Sequence, residues 1–130
     1  MIMEDYNLLQ LAYIGDAVYE LFIREYLINK NIVKTKDLRD LSLRFVSATS
    51  QAEILKRLQD NNFLTEEENE IIRKGRNTKV HSKPRNTDII TYKLATALEV
   101  LIGNLYLNNK NRLYEILNEI IKIKEGMEKC

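Results

Sequence analysis

Apolar residues return every three or four positions over most of the chain, in runs separated by short clusters of Asn, Asp, Lys and Thr. That rhythm predicts helices and no strand. A first helix is predicted from about Asn7 to Leu27, with Leu11, Ile14, Val18, Leu21 and Phe22 as its buried stripe and Asn29 to Asn31 as the turn that ends it. A second is expected from Thr35 to Phe45, with Thr35 or Lys36 near the cap and Asp37 complementing the positive end of the helix dipole. A third, Ser47 to Leu58, places Ala48, Ala52, Ile54, Leu55 and Leu58 on one face, and Asp60-Asn61-Asn62 closes it. Thr65 and Glu68 stand at capping-box spacing and open a short helix toward Lys74. From Gly75 to Asn86 a loop is predicted, because Gly75, Asn77, Ser82, Pro84 and Asn86 favour turns and Pro84 pushes Lys83 to extended geometry. A fifth helix, Asp88 to Leu107, carries Ile90, Leu94, Leu98, Leu101 and Leu105 as its stripe. After the Asn108-Asn109 turn, a sixth from Arg112 to Lys124 buries Leu113, Ile116, Leu117, Ile120 and Ile121. The expectation is an all-α bundle forming one domain over residues 1–130.

Composition narrows the class. A chain of 130 residues with 45% hydrophobic content can bury a core without disulfides or a structural metal. Cys130 is the only cysteine and His81 the only histidine, so neither an internal disulfide nor a zinc site is expected. No run of about eighteen apolar residues and no secretory leader is visible, which predicts a cytoplasmic protein with no membrane contact. The net charge of +1 averages 20 cations against 19 acids and hides an uneven distribution. Arg73, Lys74, Arg76, Lys79, Lys83 and Arg85 fall in one stretch without an acid, with Asn77 and His81 between them. Such a stretch is either a solvated connection or a set of phosphate contacts that locates a nucleic-acid backbone without reading sequence. His81 reads as a phosphate contact more readily than as a general base. Glu66, Glu67, Glu68 and Glu70 upstream read as a solvated helix face with a dipole benefit at its start.

Two acids stand in apolar helical surroundings: Asp16 in LAYIGDAVYELF and Glu99 in LATALEVLIGNLYL. An ionised carboxylate among Leu, Ile, Val and Ala is costly unless paired. Gly15 precedes the first acid and Gly103 follows the second by one turn, although a glycine inside a helix costs about 1 kcal/mol relative to alanine. A close crossing of the two helices at these glycines would compensate, and would let both acids reach one Mg²⁺ that supplies activated water for phosphodiester attack. The other reading makes Asp16 a surface acid and pairs Glu99 with Lys93 or Arg24; spacing alone leaves both open. Tyr13, Tyr19, Tyr92 and Tyr106 fall near the acids by helical spacing and read mainly as packing residues. The first helix, with Leu8, Leu9, Leu11, Ile14, Val18, Leu21 and Phe22 on more than one side, has more apolar surface than one small domain covers, and this predicts self-association.

LAYIGDAVYEL resembles the signature segment of the ribonuclease III catalytic domain, in which a Gly-Asp pair follows an aromatic and an aliphatic residue, and TALEVLIGNLYL resembles that family's second acidic segment. RKGRNTKVHSKPRNTD and FVSATSQAEIL are similar to Mini-ribonuclease III, the short form that has the catalytic domain alone, and the end at Cys130 leaves no room for a double-stranded-RNA-binding domain. The resemblance implies a ribonuclease III-like helical bundle, a homodimer packed through its signature helices, and Mg²⁺-dependent cleavage of both strands of an RNA duplex. It also implies a role in maturing 23S ribosomal RNA ends, with a ribosomal protein shaping the substrate. Asp16 and Glu99 take the catalytic and metal-binding places, and Arg73, Lys74, Arg76, Asn77, Lys79, His81, Lys83 and Arg85 the RNA-binding ones. Tyr13, Glu20, Gln51 and Thr96 are support positions. Longer members carry further acids where this chain has Ala12 and Thr96, so water or the Thr96 hydroxyl must complete the coordination, and the number of ions per site stays open. The same departures allow an alternative: a helical RNA-binding or ribosome-associated dimer without activity.

Overall fold

Asn7 starts the first helix with a reciprocal cap: its side chain accepts from the Gln10 amide at 2.8 Å, and the Gln10 side chain accepts from the Asn7 amide at 3.0 Å. The computed structural model describes residues 6–78 and 87–129, with the side chains of 128 and 129 left aside, and contains six helices. These are α1 (Leu8–Asn29), α2 (Thr35–Val46), α3 (Ala48–Asp60), α4 (Glu66–Arg76), α5 (Ile89–Asn108) and α6 (Lys110–Lys129). Side-chain caps also set the starts of α3 (Ser47), α4 (Thr65 with Glu68) and α5 (Asp88), whereas Lys34 before α2 makes no such bond. Asn31 and Asn62, with φ of 65° and 55°, turn the chain after α1 and α3 in the left-handed region that asparagine tolerates.

The apolar helix α5 is the axis of the bundle. Helices α1, α3 and α4 pack around it, α6 covers α5 and α3, and α2 lies against α1. The α6 stripe of Leu113, Ile116, Leu117, Ile120 and Ile121 is buried as its spacing predicts, and so are Leu94, Leu98, Leu101 and Leu105 of α5. Ile90 is a correction, standing 67% exposed in the first turn of α5.

The phase of α1 is a second correction. Its buried residues are Leu11, Ala12, Gly15, Tyr19, Ile23 and Leu27, while Ile14, Val18 and Phe22 are only partly covered and Leu21 is exposed. The reason is that Gly15 sets the side of α1 that rests on α5, which buries the row at four-residue spacing, Leu11, Gly15, Tyr19, Ile23 and Leu27, and Tyr19 buries its ring with its hydroxyl donating to the Phe45 carbonyl at 2.9 Å. Gly75 is a third correction. It belongs to the last turn of α4 and not to a loop, and a Cβ there would come within 2.9 Å of the Ala97 backbone.

Candidate active site

The crossing of α1 and α5 is closer than side chains permit. A Cβ built on Gly15 would lie 1.9 Å from the Glu99 carbonyl oxygen, and one on Gly103 would lie 2.0 Å from the Leu11 carbonyl oxygen. Backbone therefore rests on backbone at both glycines. Because Asp16 follows Gly15 and Glu99 is the residue that Gly15 touches, the crossing sets the two acids side by side.

Their electrostatics follow from that placement. Asp16 is solvent-exposed and Glu99 partly buried. Burial, then the charge and hydrogen bonding of Asp16, push the Glu99 carboxyl up to about 8; the charge of Glu20 adds to this and the Gln51 amide opposes it. The neighbours that dominate at Glu99 are thus two acids and an amide rather than the cation that Lys93 or Arg24 would supply. Arg24 instead faces Glu20 at 3.8 Å.

A pair of carboxylates forced together, one of them short of charge compensation, suits a hard divalent cation with oxygen ligands. The donor set is thin: among the described residues no group of three or more His, Cys, Asp or Glu side chains is close enough to hold a metal ion. Thr96, a turn before Glu99, is partly buried, and Ala12, a turn before Asp16, is buried. Glu20 acts on Glu99 through its charge. Gln51, on α3, is buried and donates from Nε2 to the Val46 carbonyl at 3.0 Å. Tyr13 projects outward, 85% exposed, while Tyr19 is a packing residue whose burial raises its hydroxyl pKa.

Of the basic stretch, Arg73, Lys74 and Arg76 form the exposed last turn of α4, and Asn77 is its C-cap. Lys79, His81, Lys83 and Arg85 lie outside the described residues. Arg73 Nε donates to Glu70 at 3.0 Å, so part of its charge is already matched. The run of glutamates is not uniformly solvated: Glu68 is buried and receives Arg112 at 2.8 Å from Nε, while Arg112 also donates to the Phe63 carbonyl at 2.7 Å. This tie fixes the start of α4 to the start of α6. Its long sequence separation hides it from any reading of local spacing.

Sequence reasoning also missed a groove of about 800 Å³ between the second half of α1 and α2, lined in part by Leu27, Ile28, Leu38, Leu43 and Val46. Only the exposed apolar surplus on α1 pointed toward it.

Six helices, two of which cross at glycines and pair two acids, carry this site, and residues 9–110 match the family model for the ribonuclease III domain, which makes it a domain of that type. The chain is 44% identical over 118 residues to the Mini-ribonuclease 3 of Staphylococcus aureus, covering 90% of this chain and 88% of that one. It is 42% identical to that of Enterococcus faecalis, with 92% and 94% covered, and 46% identical to that of Symbiobacterium thermophilum, with 84% and 83% covered. A crystal structure of a Fusobacterium nucleatum protein superimposes with a TM-score of 0.77 at 36% identity, covering 91% of this chain and 93% of that one. The chain belongs to the Mini-ribonuclease 3 family of ribonuclease III-type endoribonucleases. That membership sets aside the reading of a helical dimer without activity.

Proposed function

We propose that the protein is a Mg²⁺-dependent endoribonuclease that cuts both strands of double-stranded RNA as a homodimer, acting in the cytoplasm on the ends of precursor 23S ribosomal RNA. The observation that carries this reading is the contact of Gly15 and Gly103 with the opposite helix, which brings Asp16 and Glu99 together. Asp16 and Glu99 are the catalytic and metal-holding pair, with Thr96 available to support the hydration shell on the Glu99 side. Bound there, Mg²⁺ supplies Lewis acidity and an activated water for phosphodiester hydrolysis. The exposed last turn of α4, with Lys74 and Arg76 foremost, contacts phosphates of the duplex, continuing into Lys79, His81, Lys83 and Arg85.

A row on α1 supports the dimer. Leu9, Tyr13, Leu21 and Ile28 are all exposed apolar or aromatic side chains, and Leu43 on α2 adds to them beside the groove. A second copy is the occupant that symmetric association would supply. A ribosomal protein that shapes the RNA is a further partner.

The test is cleavage of a duplex RNA and of precursor 23S ribosomal RNA with and without Mg²⁺. Asp16→Asn and Glu99→Gln are each expected to abolish cleavage while RNA retention survives. Undiminished cleavage by either variant would remove the pair from the mechanism.

A further inference from the structure

The turn of α5 that carries Glu99 meets a glycine from each of two helices. From α1, Gly15 rests on the Glu99 carbonyl; from α4, a Cβ built on Gly75 would lie 2.9 Å from the Ala97 Cα and 3.3 Å from both Cβ and Cγ2 of Val100. Ala97 and Val100 flank Glu99 in sequence and are fully buried. Ile71 of α4 packs on the cluster that Val100 forms with Leu11 and Ala12 of α1, so three helices close on this one turn. Gly75 is itself buried, whereas Arg73, Lys74 and Arg76 around it are exposed.

At about 100° per residue, Lys74 and Arg76 stand to either side of the Gly75 contact and Arg73 points away from α5. The backbone of this turn is held by its own cap. The Asn77 amide donates to the Arg73 carbonyl at 3.2 Å, the Thr78 amide to the Gly75 carbonyl at 3.3 Å and the Thr78 hydroxyl to the Lys74 carbonyl at 3.3 Å. The other end of α4 is tied by Glu68 to Arg112. The spacing between the basic turn and the Glu99 turn is therefore set where Gly75 meets α5. Alanine there would gain about 1 kcal/mol of helix propensity. What glycine provides instead is the close seat.

We propose that Gly75 is a positioning residue for the RNA: by seating the basic turn directly on the Glu99 turn, it fixes the spacing between the duplex phosphates held by Lys74 and Arg76 and the phosphate cut at the acid pair. This rests on the reading of the α4 terminus as the phosphate contact and of Asp16 with Glu99 as the cutting pair. Alanine at 75 must push α4 outward by about half an ångström to turn a 2.9 Å approach into an ordinary contact of 3.4 Å. A misplacement of about 1 Å costs about 100-fold in rate, so half of it corresponds to about 10-fold.

The experiment measures duplex-RNA cleavage by the full chain in a double-mutant cycle that combines Gly75→Ala with the pair Lys74→Gln and Arg76→Gln. Gly75→Ala alone is expected to lower kcat/KM by about 10-fold. The half-saturating Mg²⁺ concentration should stay unchanged, because Gly15 still sets the acid pair. In the background without the two cations, Gly75→Ala should have no further effect, since nothing is left for it to misplace. A loss of the same size in both backgrounds would show that Gly75 serves the bundle alone and would overturn the proposal, as would a Gly75→Ala protein that cuts like the wild type. A wild type that does not cut, or one whose kcat/KM the two glutamines leave unchanged, would instead overturn the reading of the site beneath it. Val100→Ala, which opens space opposite Gly75 and lets the turn shift, carries the same test should Gly75→Ala not fold. If neither variant folds, the contact is structural and the proposal fails.

Discussion

At Glu99, burial and a neighbouring carboxylate act in the same direction, and the consequence is a stability cost that depends on pH. The acid rises from an ordinary 4.5 to about 8, so between those values the folded chain binds more protons than the unfolded one. Stability therefore falls as pH rises through that window, and the cost is fully present above about 8. Glu99→Gln removes the charge and keeps the shape. In the presence of a chelator it should raise the melting temperature by about 3–5 °C at pH 8.5, the shift expected for roughly 1 kcal/mol in a domain of this size, and by little at pH 4.5. Thermal denaturation at the two pH values checks this, and an equal gain at both would show that Glu99 is not the titrating group. The acids themselves were legible in the sequence, because a carboxylate in an apolar run asks for a partner. The burial of Glu68 was not: its spacing from Thr65 marked it as a capping residue, but its partner Arg112 lies 44 residues away.

Between elements, the glycines show what a sequence can and cannot convey. Gly15 and Gly103 were readable as a crossing because each interrupts an otherwise strong helix beside an acid. Gly75 was misread as a loop residue because polar residues follow it, and its contact with Ala97 is set only by the packing of α4 on α5. The α1 stripe was misphased for the same reason: that helix is apolar on more than one side, and the contact of Gly15 with α5 decides which side is buried. Gly15→Ala would drive a methyl into the Glu99 carbonyl, which no rotamer change can relieve. It should cost about 3 kcal/mol, the upper end for overpacking, and separate the acids enough to lose cleavage. Gly126 on α6 is the control, since a Cβ there meets nothing within 4 Å. Gly126→Ala should stabilise by about 0.5–1 kcal/mol through helix propensity alone. Urea denaturation of both variants tests the contrast, and similar effects of the two changes would mean that the crossing is looser than described.

For the molecule as a whole, the question is how a protein of 130 residues holds a duplex. The row of Leu9, Tyr13 and Leu21 points to a second copy. Leu9→Asp with Leu21→Asp, both on exposed positions, should convert a particle of twice 15.3 kDa to one of 15.3 kDa without unfolding it, as sedimentation would show. In the proposed dimer, two copies of the α4 terminus would meet one RNA. Arg73 is already engaged by Glu70, whereas Lys74 and Arg76 share its turn and its exposure, so the latter two should carry more of the phosphate binding. Each neutralised phosphate contact lowers the slope of log affinity against log salt by about one. Lys74→Gln with Arg76→Gln should therefore flatten that slope by about two per α4 terminus engaged, while Arg73→Gln flattens it by less than one. Filter binding of duplex RNA across a salt series decides between the two. A slope unchanged by the double substitution would move the RNA to another face, and an Arg73 effect equal to theirs would mean that the Glu70 pair opens when the phosphate arrives.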